Sequence, residues 1–197
     1  CWLVAHNDVF ITNANYENEV AGGGLFVSYD KVSEAQATVN LKAHVRNASG
    51  KNCRVTVCFA LKTPQGKVVK ETEKKLSLKN GKAAHTTASM VVGSPSLWSP
   101  ESPYLYHLDI LVKDASGRVI DGYRQRVGIR SIEFKKTEGL WLNGKPYKGK
   151  IMGTNRHQDF AVLGNALPNS LQWRDAKKLR DAGLKVIRTH YVIDPAF

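Results

Sequence analysis

Cysteine is scarce in this sequence, three among 197 residues. Cys53 and Cys58 stand in one strand-like run, and at about 3.3 Å per residue they are roughly 16 Å apart, beyond disulfide reach. A disulfide framework is therefore not expected. No CxxC pair and no Cys/His cluster at zinc-ligand spacing occurs, so no metal site and no dithiol redox centre is expected. Long apolar runs are missing too, and none approaches the roughly 18 residues that a membrane helix needs. No basic-then-apolar leader opens the chain. Cys1-Trp2-Leu3-Val4 runs straight into a strand pattern, which suits an excised fragment better than a lipidated terminus on a flexible tether. Acidic residues are outnumbered 17 to 29, for a net charge of +12. Yet Lys62, Lys67, Lys70, Lys74, Lys75, Lys79 and Lys82 are dispersed among strand residues and turns, without an aromatic stacking set. Solvated sheet faces and protected edge strands read this way, so neither a nucleic-acid nor a membrane partner is expected.

What is present is the composition of an ordinary globular protein, 42% hydrophobic and 23% charged. Ala37, Val39, Leu41, Ala43 and Val45 alternate with polar residues, as do Val55, Val57, Phe59 and Leu61, and later Tyr106, Leu108, Ile110 and Val112. A period of two with one apolar face is the mark of an antiparallel sheet. Turn clusters at Asn47-Ala48-Ser49-Gly50, Pro64-Gln65-Gly66-Lys67, Asn80-Gly81 and Asp114-Ala115-Ser116-Gly117 separate these runs. Strands recurring roughly every 8 to 12 residues indicate a β-sandwich. His6, His44, His85 and His107 all fall in this region and read as surface residues of strands.

Near residue 135 the character changes, and helical periodicity appears only after residue 165. Asn143-Gly144 reads as a hairpin turn, and Tyr147 to Gly153 as a short buried strand. Asn169 or Ser170 can cap a helix with apolar positions Leu171, Ala176, Leu179 and Ala182, and Gly183 is placed to end it. Leu184 to Ile187 restarts as a strand. Strand, helix and strand in that order imply parallel pairing, and ligands in such folds gather at the carboxyl ends of the strands. His157 and His190 follow the two strands there. Asp175 and Asp181 read as solvated helix surface.

Gly153-Thr154-Asn155-Arg156-His157-Gln158-Asp159, followed by Val186-Ile187-Arg188-Thr189-His190-Tyr191, resembles the opening of the catalytic barrel in glycoside hydrolase family 2. Leu97-Trp98-Ser99-Pro100-Glu101-Ser102-Pro103-Tyr104-Leu105-Tyr106 resembles a motif of that family's immunoglobulin-like domain. Gly128-Ile129-Arg130-Ser131-Ile132-Glu133 with Leu142-Asn143-Gly144-Lys145-Pro146 is similar to its passage into the barrel. The resemblance implies a mainly β chain, an immunoglobulin-like antiparallel β-sandwich followed by the first βαβ of a (β/α)8 barrel. Residues 1–12 would end a preceding sugar-binding-type domain or linker, 13–133 would form the sandwich, and 134–197 would begin the barrel.

Among the family's branches the Asn155-Arg156-His157 triplet with Asp159 looks most like the β-galactosidases, with the β-glucuronidases as the competing branch. The resemblance makes His157 and His190 contacts of the glycon and Arg188 a support of the nucleophile, with Asn155, Arg156 and Asp159 as weaker candidates. Family members usually have one more residue between that arginine and histidine and a proline after the tyrosine. Lys185 also stands where asparagine is common. The family's two catalytic glutamates, the acid/base and the nucleophile, lie on later barrel strands and so beyond Phe197. No catalytic residue is therefore expected in this chain, and it is expected to be inactive alone. No cofactor is implied for this fragment, and a divalent or monovalent cation in the parent enzyme stays open but is not indicated by these residues. The implied partners are a β-galactoside and the rest of the barrel, with oligomeric state and compartment left open. The rival reading is a non-catalytic carbohydrate-binding or adhesion sandwich using Trp98, Tyr104 and Tyr106 as a platform.

Overall fold

Alternating burial organises most of the chain. In the computed structural model, which describes residues 5–14, 16–20 and 22–189, Ala37, Val39, Leu41, Ala43 and Val45 are all buried along one strand. That strand is β3 (Gln36–Asn47), and β1 (Val9–Ile11) and β2 (Leu25–Asp30) pair antiparallel with successive stretches of one of its edges. The other edge of β3 pairs with β6 (Ala83–Gly93). A second antiparallel sheet runs in the order β5 (Val68–Leu78), β4 (Cys53–Lys62), β7 (Tyr106–Lys113), β8 (Val119–Val127). Its inward residues Val57, Phe59, Leu61, Leu108, Ile110 and Val112 are fully buried and join Leu41 and Met90 of the first sheet in one core. Each such side chain contributes about 1.5–3 kcal/mol by leaving water. Two antiparallel sheets over a shared core are the arrangement of a β-sandwich.

The connections explain why the sheets stay distinct. Asn80-Gly81 makes its turn, with the Lys82 N–H donating to the Lys79 oxygen at 3.2 Å. However, β5 and β6 on either side of it belong to different sheets, so the turn is an arch and not a hairpin. The Pro64-Gln65-Gly66 and Asp114 to Gly117 turns do close hairpins, the latter because Asp114 Oδ1 accepts the N–H groups of Ser116 and Arg118.

A small antiparallel sheet follows, β9 (Ile132–Lys135), β10 (Gly139–Leu142) and β11 (Lys145–Pro146). Asn143 fastens its hairpin: the side-chain oxygen accepts the Ser131 N–H at 3.0 Å and the amide donates to the Trp98 carbonyl at 3.0 Å. The chain divides into two compact units between Tyr147 and Lys148. This small sheet therefore groups with the sandwich, although the sequence assigns most of it to the barrel portion at 134–197. Val9–Ile11 likewise pairs with β3, and the Ile11 N–H donates to Asp121 Oδ2 of β8 at 2.7 Å.

The second unit holds β12 (Gly153–Arg156), α1 (Asn169–Asp181) and β13 (Val186–Thr189). The strands pair parallel, as expected of a strand-helix-strand unit, but the first is Gly153–Arg156, not the buried strand expected from Tyr147 to Gly153, where 148–152 are exposed; no barrel closes among the described residues. Asn169 and Ser170 do not cap the helix. Pro168 occupies the cap position in an extended conformation, its fixed φ preparing the first turn and its side chain offering no hydrogen bond. Gly183 ends the helix with φ +86: its N–H donates to the Arg180 oxygen and that of Leu184 reaches back to Leu179 at 3.0 Å, which satisfies the last carbonyls.

Candidate functional site

The carboxyl end of β12 carries the residues to which the sequence points. Parallel register sets Asn155 opposite Arg188 and Arg156 opposite Thr189. Burial alternates along both strands, with Thr154, Arg156, Ile187 and Thr189 half-buried and Asn155, Val186 and Arg188 exposed. Successive side chains of a strand leave opposite faces, so Asn155 and Arg188 are cross-strand neighbours on the open face. His157 and Asp159 follow directly, both exposed. His190, with the rest of the chain to Phe197, lies outside the described residues.

Arg156 belongs to the other face. It donates to Asp175 Oδ2 of α1 at 2.9 Å, with the arginine side chain 10% and the aspartate 24% exposed. Asp175 is thus the strand-helix clamp and not solvated surface as the sequence suggests. Burial alone would raise its carboxyl, but the hydrogen bonds from Arg156 and Arg174 outweigh this and hold it below the usual carboxylate range. Asp181 is exposed and pairs with Lys177 one turn away. This arrangement leaves the face of Asn155 and Arg188, a planar amide beside a guanidinium, open to hydroxyl or carboxylate groups. Among the described residues no group of three or more His, Cys, Asp or Glu is placed to hold a metal ion.

The aromatic platform of the rival reading does not form from the three residues proposed for it. Tyr106 is buried, with its hydroxyl accepting the Ser96 N–H at 2.8 Å, and Tyr104 meets it edge-on at 4.9 Å. Trp98 is covered by the Arg130 guanidinium at 4.8 Å and lies so close to Gly128 that a Cβ there would sit 2.8 Å from its ring. The motifs around Trp98 and Gly128 are therefore one interlocked packing joint. The sequence pattern suggests that His44 and His85 are separate surface residues. They are register partners on β3 and β6, their rings stacked at 4.4 Å, and the only signal for this was the pairing of strands some forty residues apart.

The chain is similar to known proteins along most of its length. Residues 23–130, more than half of the chain, match the model of the glycosyl hydrolases family 2. A β-glucuronidase of Formosa agariphila is 30% identical over 99% of the chain, and a β-galactosidase of Bacteroides ovatus is 34% identical over 86%. The chain spans about 20% of the length of each. The crystal structure of a Bacteroides uniformis β-glucuronidase superposes with a TM-score of 0.82 at 29% identity, covering 96% of this chain and 22% of that one.

Proposed function

Because this chain belongs to glycosyl hydrolase family 2, we propose that it is part of a retaining glycoside hydrolase acting on terminal β-linked galactose. In this reading an immunoglobulin-like sandwich supports a (β/α)8 barrel whose first strand-helix-strand element is β12, α1 and β13. The observation that carries it is the parallel register that sets Asn155 beside Arg188 on an open strand face with His157 just beyond. Inward-facing side chains at strand ends build the sites of such barrels. His157, Asn155, Asp159 and His190 then hold hydroxyls of the glycon, and Arg188 supports the nucleophile. Retention requires a carboxylic acid and a carboxylate about 5 Å apart. Both are assigned to parts of the protein beyond Phe197, so the chain alone is inactive.

A β-glucuronidase is the second reading, favoured by the glucuronidases among the relatives. Nitrophenyl β-galactoside and β-glucuronide, offered in parallel to the protein extended to the length of its relatives, separate the two. Galactoside turnover that His157→Ala reduces at least about a hundredfold is expected, on the scale of a lost transition-state contact. Preferential glucuronide turnover would replace the galactose assignment, and turnover by the 197-residue chain itself would remove the division of labour.

A further inference from the structure

His44 lies on the outer face of its sheet, the side opposite the core residues Ala43 and Val45, yet it is only 5% exposed. Its cover comes from two short stretches. The His44 N–H donates to the Gly24 oxygen at 2.8 Å, and the Thr12 N–H donates to the His44 oxygen at 3.0 Å. Thr12 Oγ1 accepts the Gly24 N–H at 2.9 Å and lies 3.0 Å from His44 Nδ1. His85 stacks on His44, and its Nε2 reaches the Gly22 oxygen at 3.1 Å. Gly22-Gly23-Gly24 suits this closeness: a Cβ on Gly22 would lie 3.2 Å from His85 Nε2, and one on Gly24 3.0 Å from the Thr12 oxygen.

We propose that the stacked His44–His85 pair is a pH-sensitive latch that holds Thr12 and Gly22–Gly24 against the outer face of the sheet. The Thr12 hydroxyl accepts from the Gly24 N–H and lies between His44 Nδ1 and the His44 oxygen, to which it donates at 3.3 Å. A proton on His44 puts a charge on a ring that is 5% exposed and packed against a second imidazole at 4.4 Å, where water solvates it poorly. The surrounding charges are mixed. Glu17 pairs with Arg46 of β3, Glu19 stands 4.0 Å from His85 Nε2, and the Lys42 amino group lies beside Gly22. Burial, and then His85, push His44 below its usual 6.5, with Arg46 adding to the fall and Glu17 and Glu19 opposing it. The attached state therefore binds fewer protons than the released one. Attachment is complete above about pH 6.5 and weakens as pH falls, up to tenfold per pH unit for each proton taken up on release.

Amide hydrogen exchange of the 197-residue chain, corrected for its intrinsic pH dependence, reads this directly. Between pH 7 and 5.5 the protection of the Gly24 and His44 amides falls roughly tenfold, while that of β4 and β7 is unchanged. His85→Phe, which keeps the stack and cannot be charged, reduces the fall severalfold. Glu19→Gln, which removes the nearest counter-charge from the attached state, enlarges it and decides the matter if the phenylalanine variant does not fold. Protection independent of pH, a fall shared with β4 and β7, or a fall that neither variant changes would each overturn the latch.

Discussion

The two units of this chain solve burial differently. In the sandwich every central strand presents a dry face to another, and Phe59, Leu61, Leu108 and Ile110 are wholly removed from water. In the second unit Leu167 is the one buried apolar side chain among the described residues, while Ile151, Met152 and Val186 are 42–54% exposed. Parallel strands are ordinarily covered on both faces, and here the Arg156–Asp175 pair ties α1 to one of them. A single leucine's transfer energy, about 2 kcal/mol, is small beside the cost of about 1–2 kcal/mol for ordering each residue. Among the described residues the sandwich therefore holds nearly all of the buried apolar surface, and the second unit very little.

The largest effect tests that contrast at its root. Phe59→Ala in β4 empties the centre of the shared core and is expected to lower sandwich stability by about 3–5 kcal/mol, read from urea unfolding followed by circular dichroism in the β region. Leu167→Ala removes the corresponding anchor of the second unit, and the same β-sheet transition is expected not to move. A common shift in both variants would show the two units to be one cooperative body.

Two carboxylates sharpen the comparison. Asp109 on β7 is gripped by Arg124 and by Lys62 at 2.9 Å, and chiefly the Arg124 hydrogen bond, against burial, holds its carboxyl at about 2. Its folded value lies below the unfolded 3.8, so the stability it supplies is present above that value and lost as pH falls towards 2. Allowing for solvent screening at the exposed Arg124, that contribution is about 1–2 kcal/mol. Asp109→Asn should therefore destabilise the sandwich at pH 7 and converge with the parent near pH 2. Asp175→Asn, which opens the clamp to Arg156, should leave that transition in place and speed amide exchange along α1. Parallel pH profiles for the parent and Asp109→Asn would show the buried grip to be neutral.

The sequence disclosed what depends on local spacing. Val39, Phe59 and Ile110 are buried where a period of two puts them, and Gly183 ends the helix that the pattern of Leu171 and Leu179 begins. It was silent where distant strands meet. No local rule sets His44 against His85. Nor could it divide the triplet Asn155-Arg156-His157: only the register with β13 shows Asn155 to share a face with Arg188 while Arg156 turns to the helix. The cap lies one residue earlier than the pattern suggests, because extended Pro168 takes the cap position and Asn169 is already the first helical residue.

The smallest expected effect uses one local change in two settings. Gly66 in the hairpin between β4 and β5 and Gly183 after α1 have nearly identical φ, +87 and +86, and neither has a neighbour within 4 Å of an added Cβ. Alanine at either position meets only the backbone cost of the left-handed region, about 1 kcal/mol. In the hairpin that cost is shared by every strand of the cooperative sheet, so Gly66→Ala should lower sandwich stability by the whole amount. After the helix it falls on a unit with little core to share it, and Gly183→Ala should instead raise exchange of the Leu184 amide, which otherwise donates to Leu179, with sandwich stability constant within about 0.5 kcal/mol. Equal shifts of the sheet transition would mean that the second unit draws its stability from the first. Unequal ones would show the two units to be stabilised independently.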